Sequence, residues 1–511
     1  MKIWKNDLLP AIDADAVARE GISSDALMER AGFRLFQTMQ PILNHIQPRH
    51  IVLCAGKGNN GGDALVLARW LATHWKVSVV LPGFTSAFSP DMDLNWRRIQ
   101  SMSHWLTVLH TELDGSLPVS LEADVWIDGI FGTALRKAPE GEWVQYIDSV
   151  RGKSGIKWAI DVPSGLLADA PSDESKVLVA QHTFTIDRPK WSLLFDDHAP
   201  LTGPFTIVPL NLPSETEEAF PTREFFLTSD WVRSWMPARP FYGHKGTFGH
   251  VACLGGSFGK MGAIGFSGMA ALHAGAGLVS CGIPQNQVSV LQSIFPALMA
   301  FPAGTEVLSG HVFFPETIRS VVLGPGMGMA AETRQWLKQA IPGFDWPVVL
   351  DADALNILAE QPTWLSFFPH NQVVLTPHPK EFDRLAGPHR HGMDRWQSAR
   401  RLAQKTGFVW VLKGRVTWIF TPQGEAIASS SGTSAMATGG SGDVLSGIIG
   451  ALLAAGLSAV RAACVGVYVH GIAGQLAAAQ YGEAGTTAME LLSCVGPAMQ
   501  KLQSPPSLSI R

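Results

Sequence analysis

The 511-residue chain has little charge, few cysteines and no long apolar run, and each scarcity excludes something. Charged residues make up only 16%, the formal net charge is -4, and Lys and Arg are dispersed, which leaves no basic footprint for nucleic acid or an anionic membrane. The five cysteines (Cys54, Cys253, Cys281, Cys464, Cys494) are far apart, odd in number and free of CxxC spacing, which argues against a disulfide framework or a zinc site. A reducing cytoplasm is the expected compartment. The N-terminal segment meets acidic residues before the apolar core of a signal peptide could form. The stretch from Val444 to Val460 is short for a membrane span and rich in Gly, Ala and Ser, so a buried helix is expected there.

What is present is ample core material, 46% hydrophobic. With roughly 100–200 residues per domain, the length calls for two large domains. Short apolar runs at His50 to Ala55, Val77 to Leu81, Val125 to Asp128 and Trp158 to Ile160 read as buried parallel strands. Helical stretches such as Asp63 to His74 and Pro139 to Val150 lie between them. A second series follows at His250 to Leu254, Ser320 to Leu323, Pro347 to Leu350, Gln372 to Leu375 and Val409 to Leu412. Both halves are therefore α/β, the first a doubly wound, Rossmann-like sheet. The polar, acidic, proline-containing segment Asn211 to Glu224 reads as a surface connection, and divides the chain into expected domains 1–220 and 221–511.

In the first half, Gly56 to Asp63 (GKGNNGGD) follows a strand and precedes a helix, as a phosphate cradle would. A turn with no ligand is the plainer alternative. Asp128 and Asp161 end two further strands, with Ser164 close behind the second. In an open parallel sheet these strand ends line the ligand crevice, so their oxygens can converge with Asn60 to serve a hard cation or acid/base chemistry. Taken singly, either aspartate could merely cap a turn.

The motifs NNGGD, DGIFGT and DVPSG, with the leader GISSDALMERAG, resemble the YjeF N-terminal family of NAD(P)H-hydrate epimerases over roughly residues 1 to 215. The resemblance implies that Asn59, Asn60, Gly61, Gly62 and Asp63, the segment Gly132, Thr133, Ala134, Leu135, Arg136, Lys137 and Ala138, and Asp161 bind the hydrated nicotinamide cofactor. It further implies K+ on Asn60, Asp128 and Ser164. Asp161 is the acid/base candidate. Ala64 departs from the family, where glycine is more usual.

The strongest chemical signal is Gly439-Gly440-Ser441-Gly442-Asp443 ahead of the apolar helix Val444 to Ala455. Amides of Gly440, Ser441 and Gly442 form an expected anion hole for a moving phosphoryl group, beside a carboxylate able to take a hydroxyl proton. The alternative is Asp443 as a helix cap. Loops at Gly255 to Ser257, Gly324 to Gly328, Asp351 to Asn356, Thr376 to Glu381 and Lys413-Gly414 each follow an apolar run and make one pocket rim. Singly, His378 reads as structural, and Asp351 or Asp353 as caps.

The segments GGSGDVLSG, LDADALN, LTPHPKEF and LGPGMG resemble the ribokinase-like NAD(P)H-hydrate dehydratases over roughly residues 225 to 505. By that resemblance Ala263, Gly326, His378 and Asp443 contact the hydrate, while Lys413, Gly414, Arg415, Val416, Thr417 and Gly442 bind the adenine nucleotide. Ala297 departs, since an acidic residue usually follows that proline. ADP is the implied phosphoryl donor, with Mg2+. The substrates would be the hydrates of NADH and NADPH, handled by a homo-oligomer. A ribokinase-like kinase of a small alcohol, or a non-catalytic nucleotide-binding module, are the alternatives.

Overall fold

Strings of aliphatic residues make the sheets, and their all-round burial dictates helices on both faces. The computed structural model describes residues 1–503 apart from 86, 103, 171 and 369–371; the end of the second expected domain, 504–511, lies outside the described residues. The chain divides into two units, Met1–Thr222 and Arg223–Arg511.

The first unit holds seven parallel strands: β1 (Ile51–Ala55), β2 (Val77–Leu81), β3 (Leu106–His110), β4 (Val125–Gly129), β5 (Ile156–Ile160), β6 (His182–Ile186) and β7 (Phe205–Val208). Their order is β3-β2-β1-β4-β5-β6-β7, so the winding direction reverses between β1 and β4. Strands β1, β2 and β4 are buried at every position. One face packs under helices Ser24–Ile46 and Asn59–Leu71 through Leu35, Met39, Leu43, Leu65 and Leu67. The other packs under Glu142–Arg151 through Tyr146, Ile147 and Val150. Edge strands β3 and β7 are only partly buried, which is why their sequences carry a weaker apolar signal.

The second unit holds β8 (Glu224–Phe226), β9 (His250–Leu254), β10 (Leu278–Ile283), β11 (Met299–Pro302), β12 (Ser320–Leu323), β13 (Val348–Leu350), β14 (Val373–Leu375), β15 (Val409–Leu412), β16 (Thr417–Phe420) and β17 (Ala426–Ser429). The order is β11-β10-β9-β12-β13-β14-β15-β16-β17-β8. It is parallel from β11 to β15, and the winding reverses between β9 and β12; β16 pairs antiparallel with both its neighbours.

The segment expected as a surface connection lies largely on the surface and is held in place. Ser214–Ala219 forms a short helix with Thr216 buried, Trp4 Nε1 donates to Phe220 O at 2.9 Å, and Glu224 opens β8, which pairs with β17. Both glycine-rich motifs also enter their helices earlier than expected: Asn59–Leu71 takes in NNGGD, and Ser441–Ala454 begins inside GGSGD. Small residues there admit close packing that propensity alone would not suggest.

The apolar helix Ser441–Ala454 is a core helix, buried from Val444 to its end. Helix Ala459–Tyr481 is long and apolar enough to cross a membrane by length and composition, yet 67% of its apolar window is buried inside the unit. At the crossing of Ser441–Ala454 with Met261–His273, a Cβ on Gly447 would stand 2.0 Å from the carbonyl oxygen of Ser267. Gly447→Leu is therefore expected to destabilise this unit by about 3 kcal/mol, the upper range for overpacking, measured as a lower denaturant midpoint of unfolding.

Candidate active site

In the first unit, a cavity of about 690 Å³ opens at the carboxyl ends of the strands, where the order reverses. Asn59, Asn60 and Asp63 line it from the first turns of Asn59–Leu71; Gly132, Thr133, Ala134, Leu135 and Arg136 from the loop after β4; and Asp161 from the turn after β5. Gly61, Gly62, Lys137 and Ala138 are not brought to it. A Cβ on Gly61 would meet Gly56 O at 2.2 Å and one on Gly62 would meet Met28 Sδ at 2.6 Å, so these glycines serve packing. Lys137 reaches out to Glu140 at 3.2 Å.

Asn60 Nδ2 donates to Phe131 O at 2.9 Å and to Ile160 O at 3.4 Å, bridging the ends of β4 and β5. Beneath it, Asp128 accepts from Ser164 Oγ at 2.5 Å, from Ser164 N at 2.7 Å and from Ile130 N at 3.1 Å. Asp128 is 1% exposed and has no ion-pair partner among the described residues. Burial pushes its pKa up to about 6, against the hydrogen bonds from Ser164 and Ile130. A buried carboxylate of this kind, with amide and hydroxyl oxygens beside it, suits a monovalent cation.

Asp161 sits at φ +66, a region uncommon for any residue but glycine, and pairs with Lys190 Nζ at 2.8 Å. Lys190 also donates to Ile186 O at 2.6 Å and Arg188 O at 3.1 Å. Around this pair lie more acids. Burial, then Asp161, Asp13 and Asp91, push Asp63 well above the usual carboxylate range. Asp13 keeps an exposed surface, yet the crowding of its carboxyl, with Asp187 and Asp161, raises its pKa to about 6 against the pull of Lys190. Lys190, Asp13 and the cavity-lining Trp4 and Asn6 escaped the sequence reading, because nothing in their local pattern shows that the N-terminal segment folds over the strand ends.

In the second unit, Gly440 occupies the cap position of Ser441–Ala454 at φ +93, a conformation suited to glycine. Asp443 is thus the third helical residue and not the cap. The amide hole differs from expectation at Ser441, whose N–H turns back to Thr438 O at 3.4 Å. The N–H groups of Gly442 and Asp443 precede the first helical bond, from Val444 N–H to Gly440 O, and have no partner among the described residues. Two supports fix this turn. Ser267 Oγ and Ser446 Oγ donate to Asp443 O at 2.9 and 2.8 Å, and His470 Nε2 meets Ser441 O at 2.9 Å. Burial lowers the His470 pKa to about 4, leaving a neutral ring that donates to that carbonyl.

Lys413, at the end of β15, places Nζ where a Gly442 Cβ would lie only 3.2 Å away. It pairs with Asp351 at 3.0 Å and Glu381 at 3.9 Å. Burial works against its ammonium, but these two carboxylates hold its pKa above the usual lysine value. Asp351 stands at the cap position of helix Ala352–Glu360, yet its side chain makes no cap and turns to Lys413 instead. Asp353 accepts from Gly328 N at 2.9 Å and pairs with Lys260 at 3.3 Å. His378 does cap: Nδ1 accepts from Lys380 N at 3.1 Å and Glu381 N at 3.4 Å in a capping box. Its Nε2 is left to carry the proton, and burial followed by Lys413 lowers its pKa. Gly326 and Ala263 meet: a Cβ on Gly326 would lie 3.2 Å from that of Ala263. In the turn between β15 and β16, Val416 is buried and can offer a ligand only its backbone, while Gly414 and Arg415 are exposed.

Fold and site together define a two-unit α/β enzyme with chemistry-bearing loops at both points of strand-order reversal. The comparisons agree with that class. The family described as YjeF-related protein N-terminus matches residues 24–192, and that described as NAD(P)H-hydrate dehydratase matches 251–496. The chain is 35% identical over 508 residues to the bifunctional NAD(P)H-hydrate repair enzyme Nnr of Moorella thermoacetica, covering 96% of this chain and 95% of that one. It is 35% identical over 497 residues to the Escherichia coli K12 protein of the same name, covering 96% and 92%. Among solved structures, the ADP/ATP-dependent NAD(P)H-hydrate dehydratase of Bacillus subtilis, co-crystallised with ATP and Mg2+, is 29% identical, covers 54% of this chain and 98% of its own, and has a TM-score of 0.48. The chain belongs to the family of bifunctional NAD(P)H-hydrate repair enzymes.

The Asp443 carboxyl is raised to about 7, first by burial and then by Asp351, with Lys413 pulling the other way. Its folded value lies above the unfolded one, so ionisation costs stability progressively from about pH 4 to about pH 7 and fully above that. Asp443→Asn is expected to raise unfolding stability by roughly 2 kcal/mol at about pH 8, after discounting the nominal shift for solvent access, and to change it little near pH 4. Chemical denaturation at the two pH values measures this.

Proposed function

We propose that the chain restores hydrated NADH and NADPH: residues 1–220 interconvert the R and S hydrates, and residues 221–511 dehydrate the S form at the expense of ADP, releasing AMP and phosphate. The observation that carries the second activity is Asp443, with its raised pKa, beside two unpartnered helix-start amides and Lys413. Hydroxide is a poor leaving group at neutral pH, and phosphate is a better one. Asp443 takes the proton from the hydrate's hydroxyl, the Gly442 and Asp443 amides and Lys413 stabilise the transferred phosphoryl group, and the ring nitrogen then expels phosphate. The hydrate would lie against Ala263, Gly326 and His378, and the nucleotide against Lys413 to Thr417 and Gly442. Among the described residues no cluster of three His, Cys, Asp or Glu forms a metal cage. That fits Mg2+ held chiefly by the nucleotide's own phosphates, where it would neutralise charge.

In the first unit, Asp161 is the base for epimerisation, held in place by its ion pair with Lys190. Asn60, Asp128 and Ser164 would hold K+, which supplies the countercharge that the buried Asp128 carboxylate lacks. The cytoplasm, where all five buried cysteines would stay reduced, is the proposed compartment, and a homo-oligomer the proposed assembly.

The test follows the near-ultraviolet absorbance of reduced nicotinamide with a mixture of hydrate epimers and ADP. Full recovery is expected from the wild type, a loss of at least about 10³-fold in dehydration rate from Asp443→Asn, and recovery limited to the S share from Asp161→Asn. A stable phosphorylated product without absorbance recovery would point to a small-alcohol kinase instead. For the cation, KCl is expected to raise the melting temperature of the wild type above its value in equimolar NaCl, and Asp128→Asn to abolish that difference.

A further inference from the structure

The cavity of the first unit is closed by a segment outside the matched family region, which begins at residue 24. Trp4, Asn6, Leu9, Pro10, Ile12 and Asp13 all line it. That segment is anchored firmly. Ile3 and Trp4 are buried, Asn6 N donates to Asp169 Oδ2 at 2.8 Å, and Asn6 Nδ2 donates to Thr133 O at 2.6 Å in the loop after β4. Helix Leu9–Glu20 then buries Ile12 and Ala16 and turns Asp13 toward the cavity. The Asp13 carboxyl has neither a hydrogen bond nor an ion pair among the described residues.

Epimerisation at a carbon that bears both a hydroxyl and the ring nitrogen needs two groups in opposite protonation states. One accepts the hydroxyl proton as the carbon–nitrogen bond breaks, and the other protonates the nitrogen that receives the electron pair. Asp161, paired with Lys190, is placed to be the base. Lys190 is occupied by the carbonyls of Ile186 and Arg188 and by its ion pair with Asp161, which leaves the acid role to another group of the cavity.

We propose that Asp13 is the catalytic acid of the epimerase site. This rests on the reading of the first unit given above. Its carboxylic proton passes to the ring nitrogen as the ring opens to an aldehyde and an enamine N–H, while Asp161 holds the hydroxyl proton. After rotation of the aldehyde, the nitrogen adds to its other face, returns its proton to Asp13, and Asp161 returns the other to oxygen. No atom or electron is gained or lost. The groups facing Asp13 support the assignment: Asp187, Arg188 and Lys190 from the segment after β6, Asp161 from the turn after β5 and Asp63 from helix Asn59–Leu71. The resulting pKa of about 6 lets the group both give and regain a proton near neutral pH. Pairs of carboxyls driven to different protonation states by their surroundings are a recurrent acid/base arrangement.

The experiment uses the full chain with purified R hydrate and ADP, comparing the wild type with Asp13→Asn and Asp13→Ala. Dehydration of purified S hydrate, carried out by the second unit, serves as the folding control. Expected is a fall in epimerisation kcat of at least about 10²-fold in both variants with KM nearly unchanged, loss of the decline in rate that the wild type shows as pH rises above about 6, and partial rescue of Asp13→Ala by formate. Unchanged kcat in Asp13→Asn, or an effect confined to KM, overturns the assignment. A wild type that dehydrates S hydrate but never consumes R hydrate overturns the epimerase reading itself.

Discussion

Everything chemical in this protein depends on the reversal of winding direction in two parallel sheets. Where β1 lies beside β4, and β9 beside β12, the loops after adjacent strands leave in opposite directions and open a crevice. The helix that follows β1 carries Asn59, Asn60 and Asp63 in its first turns, and the loop after β4 carries Gly132 to Arg136. The second unit uses the same geometry for Gly255-Gly256 and Gly324 to Gly328, with Asp351, Glu381 and Lys413 at the ends of the strands that follow. No local motif could have formed either crevice alone.

Burying carboxylates at strand ends is costly, and the two units offset that cost in the same way, with a lysine held among acids. Lys190 secures Asp161 in the first unit, and Lys413 secures Asp351 in the second. Among the acids left outside these pairs, Asp13 and Asp443 have pKa values raised toward neutrality, to about 6 and about 7. Pairing and burial thus place carboxylates of similar intrinsic acidity in different surroundings within one crevice.

Backbone supports matter as much as the reactive groups. Ser267, Ser446 and His470 hold the carbonyls of Asp443 and Ser441, and so fix the turn whose Gly442 and Asp443 amides have no partner among the described residues. His470 does this from the middle of a helix that passes for membrane-spanning by composition, and its burial keeps it neutral and therefore a donor. The Ser441 amide was expected in the anion hole but is drawn back to Thr438 O, because the tight turn at Gly440 leaves it no free direction.

The sequence by itself determined many of the buried strands and the family. Runs such as HVACL, SVVL and VWVL coincide with β9, β12 and β15, because strands buried on both faces leave a continuous apolar trace. NNGGD and GGSGD were legible as helix starts, since glycine and small polar residues at a strand-to-helix turn have few other uses. Edge strands β3 and β7 left a fainter trace for the opposite reason, their partial exposure. Tertiary structure alone decided the pairings: that Asp351 turns from its helix to Lys413, that Gly61 and Gly62 face backbone and Met28 and not a ligand, and that residues 4–13 return to wall the cavity and bring Asp13 beside Lys190. Charge pairing and close packing depend on distances between residues far apart in the chain, and those distances exist only once the sheets have formed.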